Sequence, residues 1–87
     1  MMPQPRTETL CQVIARLIDT LKNEIKRKRR QIQLWNERLS KLQSQPNPDP
    51  ALIQQIKADI QDLADQLPED QAQLDAAENE FAASCRH

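Results

Sequence analysis

Three groups of residues in this chain of 87 carry side chains with chemistry to offer. Its two thiols, Cys11 and Cys85, lie near opposite ends of the sequence, and His87 follows the second. A lone pair of cysteines serves as a staple, as a sensor, or as two unrelated packing residues. A metal site lacks support, because Cys11, Cys85 and His87 offer three ligands without a compact C-x-x-C element to hold a tetrahedral ion. The second group, Lys26-Arg27-Lys28-Arg29-Arg30, is a run of five cations, the side chains that contact phosphate. Lys28 and Asp70 form the third, two charged residues at places that an apolar repeat otherwise reserves for the core. What each group can do depends on the elements that carry it.

Those elements are legible as two seven-residue repeats. In the first half one set of core positions holds Cys11, Ile18, Ile25, Ile32 and Leu39, and the other holds Ile14, Leu21, Lys28, Trp35 and Leu42. In the second half Ile53, Ile60, Leu67, Leu74 and Phe81 fill one set, with Ile56, Leu63, Asp70, Ala77 and Ser84 in the other. A 3,4 alternation sustained this long marks helices that supercoil against partners. The segment Pro46-Asn47-Pro48-Asp49-Pro50 separates the halves. The expected fold is all-α: a long antiparallel coiled-coil hairpin occupying 1–87 as a single domain, with helix one over about 7–44, a Pro-rich loop over 45–50 and helix two over about 50–85.

Local signals set these limits. Thr7 or Thr9 can accept hydrogen bonds from the first-turn amides of helix one, and Glu8 suits the positive end of the helix dipole. Asp49 is the expected N-cap of helix two, with Pro50 at the first helical position, where its missing N–H costs nothing. Pro68 falls inside helix two and removes one backbone hydrogen bond, so a kink is expected there, with a break between Gln66 and Pro68 as the alternative. The repeat keeps its phase from Ile60 through Leu67 and Leu74 to Phe81, which favours a kinked continuous helix.

Composition excludes several functions. A chain this short has too little interior for a catalytic cleft beside a core, so an enzyme is not expected. There is no glycine, and Trp35 and Phe81 are the whole aromatic content, which removes phosphate-cradling loops and base-stacking platforms. No cofactor or small-molecule substrate is expected. No apolar run approaches the roughly 20 residues of a membrane span, and no apolar signal segment opens the chain. The cytoplasm is the default compartment, although an intramolecular disulfide would argue for an oxidising one.

Charge is divided between the halves. Residues 1–45 carry ten Lys or Arg against four Asp or Glu, and 46–87 carry two against nine. Folding the arms together sets opposite charges along the flanks of the seam and opposes pairing of like helices. The cationic run, led by Lys26, Arg27, Arg29 and Arg30, is on one reading a solvated face beside acidic helix two and on the other a phosphate-contacting band for RNA or DNA. Membrane-surface binding is not expected, because the apolar face is committed to the hairpin.

An antiparallel register that sets Leu42 beside Ile53 has two further consequences. It brings Lys28 and Asp70 into adjacent layers, where they either form a partly buried, register-fixing ion pair or separately snorkel and cap. It also sets Cys11 beside Ser84, with Cys85 next, so the thiols meet at the open end of the hairpin. A second apolar set remains: Leu10, Val13, Leu17 and Leu34 on helix one, and Leu52, Ala58, Ala64, Ala72, Ala76 and Ala82 on helix two. Two helices cannot bury both sets, and self-association is the natural remedy, with Leu10, Val13 and Leu17 as the contact surface.

In outline, the hairpin with a basic helix is similar to small plasmid copy-number regulators that bind RNA as four-helix-bundle dimers, a resemblance of architecture that matches no RNA-contacting residues. The Pro46–Pro50 turn looks like that of type III secretion needle subunits, and that likeness ends at the loop. The expected function is a non-enzymatic oligomerisation or protein-interaction module, a homodimeric four-helix bundle or the partner of another helical protein. The alternatives are a nucleic-acid-binding hairpin and a thiol-responsive adaptor.

Overall fold

The computed structural model describes residues 9–85, which form two long helices packed against each other as an antiparallel hairpin, α1 (Leu10–Gln43) and α2 (Pro50–Ser84). The result is a rod with extents of 72 × 32 × 15 Å. Helix α1 starts at the second of the two candidate threonines. Thr9 Oγ1 accepts from the Gln12 amide at 3.2 Å while the Thr9 amide donates to Gln12 Oε1 at 2.9 Å, a reciprocal capping box. Thr7 and Glu8 lie outside the described residues. At the other end the Ser44 hydroxyl and amide both donate to the Ser40 carbonyl, and Lys41 stands in the last turn, where the dipole favours a cation.

Helix α2 begins as its sequence dictates. Asp49 Oδ1 accepts from the Ala51 and Leu52 amides at 3.0 and 3.3 Å, and Pro50 opens the helix. It then continues through Pro68 without interruption, so the alternative of a break before that residue is overturned. The Ala64 carbonyl loses its donor there. Pro68 is exposed, which leaves that stretch of backbone open to water.

Packing follows the double repeat closely. Ile14, Ile25, Ile56, Leu74 and Ala77 are buried, and every other seam position except Ser84 is at least half-buried. Among the described residues no large side chain is fully enclosed, because two helices can cover a seam residue from only one direction. Among the described residues no helix is long and apolar enough to cross a membrane.

Candidate functional site

At the open end of the rod, Cys11 occupies the second position of α1 and Cys85 caps the C-terminus of α2. The two are joined as a disulfide, with an S–S distance of 2.15 Å and Cα atoms 5.7 Å apart, inside the range a bridge requires. Cys11 Sγ also lies 4.0 Å from the Ser84 carbonyl oxygen, a packing contact, since a bridged sulfur has no proton to donate. The sequence register set Ser84 in the seam with Cys85 alongside. In the structure Ser84 is exposed and Cys85 half-buried, because the helix ends there and the cap residue leaves helical geometry (φ −122°, ψ −17°). His87 lies outside the described residues, among which no cluster of three or more metal-ligating side chains occurs.

Near the middle of the rod, Lys28 Nζ donates to Asp70 Oδ2 at 2.6 Å across the seam. Both side chains are less than one-fifth exposed, at 18% and 17%. This is the cross-helix pair expected from the register, and it accounts for both polar intruders at once. Separate snorkelling and capping are thereby set aside. The surrounding seam is apolar, with Ile25 buried one turn before Lys28 and Leu74 one turn after Asp70.

Several other charged side chains find partners on their own helix. Arg27 pairs with Glu24 on its own helix. On α2, Gln55 donates to Asp59 at 3.0 Å, Gln61 to Asp65 at 2.6 Å and Gln71 to Asp75 at 3.0 Å, each four residues apart. One turn of helix sets such pairs side by side without help from a partner helix. The Gln/Asp spacing is present in the sequence, four residues apart in each case. Lys26, Arg29 and Arg30 are exposed, and with Gln33, Leu34 and Glu37 they line a shallow depression on α1.

Among the described residues five large apolar side chains stand exposed: Leu10, Val13, Leu17, Leu34 and Leu52, from 38% for Leu52 to 66% for Leu10. The second apolar set thus holds its large members in contact with water, as expected. Ala58, Ala72, Ala76 and Ala82 are exposed too, whereas Ala64 is half-buried beside the seam. The chain matches no protein-family model, no curated protein and no solved structure.

Proposed function

We propose that this chain is a non-enzymatic helical interaction module, a coiled-coil hairpin that pairs with a second copy of itself as a four-helix bundle. One observation carries the reading: among the described residues five large aliphatic side chains stand in water while none is enclosed completely. Exposed apolar area of this kind costs about 25 cal/mol per Å², and covering it with another hairpin recovers that cost. Surface depressions such as the one bounded by Ala15, Ile18, Asp19, Lys22, Glu78 and Phe81 are shallow and open. The reading accordingly needs no cofactor and no substrate. Sedimentation equilibrium of the full chain at high micromolar concentration tests it: a dimer is expected, and a monomer overturns it.

A second reading draws on the exposure of Lys26, Arg29 and Arg30, which α2 leaves available to phosphate. Nucleic-acid binding through this band is the alternative function. The Cys11–Cys85 bridge supports a third role, a module whose open end responds to thiol–disulfide exchange. The same bridge favours an oxidising compartment over the cytoplasm that composition alone would assign.

A further inference from the structure

The five exposed aliphatic residues share one property of position. Each lies immediately before a core residue: Leu10 before Cys11, Val13 before Ile14, Leu17 before Ile18, Leu34 before Trp35, Leu52 before Ile53. A step of one residue turns about 100° around a helix, and in an antiparallel pair the residues that precede core positions on both helices emerge on the same broad face. Surface geometry bears this out. Arg27 and Gln31, which precede core residues, share one depression with Leu63 of α2. Lys22, Lys26, Arg29 and Gln71, which follow core residues, share another. The hairpin therefore has two faces, both of which carry charge, and the large exposed aliphatic residues all precede core positions and so belong to one of them, the apolar-bearing face.

We infer that the apolar-bearing face is the dimer interface and that two copies meet on it with their open ends together, α1 of each lying on α2 of the other. The inference rests on the reading of the chain as a self-associating module and adds the face, the symmetry and the register. Two twofold axes can bring this face against itself. One runs along the rod and crosses α1 over the second copy's α2; the other runs across the rod and stacks α1 on α1 and α2 on α2.

Charge decides between them. Among residues that precede core positions, α1 offers Arg27, Arg38 and Lys41 against Glu24, while α2 offers Asp59, Asp62, Glu69 and Glu80 without a cation. Stacking like on like opposes these charges, sets Arg27 near its own copy and lays Arg38 and Lys41 over Leu17 and Val13. The axis along the rod does the reverse. Cys11 bonds Cys85 and Lys28 pairs with Asp70, so those residues stand level in the hairpin, and this axis preserves level between copies. Arg27 then meets Glu69 of the second copy, and Arg38 and Lys41 meet its Asp59. At the open end Val13 stands level with the small Ala83 of the second copy, while Leu17 stands level with its Glu80, flanked by Ala76 and Ala83, and Leu34 falls beside its Asp62. Two helices about 10 Å wide and about 50 Å long present on the order of 1,000 Å², enough for a standard interface of about 800 Å² per partner.

A nitroxide at Asn47→Cys, in the full chain with the Cys11–Cys85 bridge closed, reports the arrangement, because Asn47 is exposed in the loop and outside the interface. Double electron–electron resonance should give a loop-to-loop distance under about 35 Å, a few helix diameters. A distance of about 50 Å or more, the length of a helix, in a protein that sediments as a dimer would overturn the arrangement and leave self-association standing. A monomer on sedimentation would overturn both.

Discussion

The Lys28 ammonium and the Asp70 carboxylate meet at 2.6 Å across the seam, pairing the two charged residues that interrupt an otherwise apolar and small-residue core pattern. Every other antiparallel register would leave one of them facing aliphatic carbon. Such a pair selects an alignment more than it adds stability, because two desolvation costs offset most of the attraction.

Removing one partner should therefore cost more than removing both. Asp70→Ala strands a mostly buried ammonium and is expected to destabilise by about 1–3 kcal/mol in urea denaturation. Lys28→Leu combined with Asp70→Leu should be close to neutral or stabilising. Additive losses in the double variant would show that the pair has no special coupling.

Closing the Cys11–Cys85 bridge ties off a loop of 74 residues in the unfolded chain, a constraint that stabilises by about 4 kcal/mol in the chain-entropy model. Oxidised protein should be two hydrogens lighter by intact mass, run as a single chain on non-reducing electrophoresis and melt higher than reduced protein. Cys85→Ser should abolish the mass difference and the rise in melting temperature. Exclusively intermolecular disulfides would mean that the open ends do not close on themselves.

Because Leu10, Val13 and Leu17 are exposed in the single hairpin, replacing them should have little effect within one chain and, on the proposed dimer, a large one on pairing. Leu10→Gln, Val13→Ser and Leu17→Gln together should keep the helical circular dichroism of the parent. The dimer dissociation constant should rise at least about tenfold, the equivalent of about 1.4 kcal/mol. An unchanged constant would move the interface elsewhere.

If the cationic band contacts phosphate, retention on RNA or DNA at about 50 mM salt should fall linearly on a log–log plot as salt rises. Lys26→Gln, Arg29→Gln and Arg30→Gln should flatten that slope, whereas Arg27, already paired with Glu24, should matter less. No retention at the lowest salt removes the nucleic-acid reading.

The parts of this structure that were legible in the sequence are those fixed by short-range chemistry or by the repeat. Asp49 and Pro50 announce a helix start through groups one to three residues away, and the seven-residue phase carries the register that joins Lys28 to Asp70 and brings Cys11 to Cys85. Charge pairing was less legible. Opposite net charges on two helices do not say which carboxylate takes which donor, and Asp59, Asp65 and Asp75 each found a glutamine one turn away. The shared position of Leu10, Val13, Leu17, Leu34 and Leu52 is implicit in the same repeat, because each lies one residue before a core position.

Pro68 gives a test of how firmly the repeat governs α2. A proline in a helix interior forfeits one hydrogen bond and crowds the preceding turn, at about 3 kcal/mol relative to alanine. The helix nonetheless runs through it, and packing of Leu67 on one side and of Asp70 and Leu74 on the other must offset that cost. Since Pro68 itself is exposed, Pro68→Ala removes no seam contact and restores the donor to the Ala64 carbonyl. It should stabilise the hairpin by about 1–3 kcal/mol in urea, with each kcal/mol raising the melting temperature by about 4–8 °C in a domain of this size. Destabilisation would show instead that α2 needs a bend at this point to follow α1, and that the proline is fitted to the seam rather than tolerated by it.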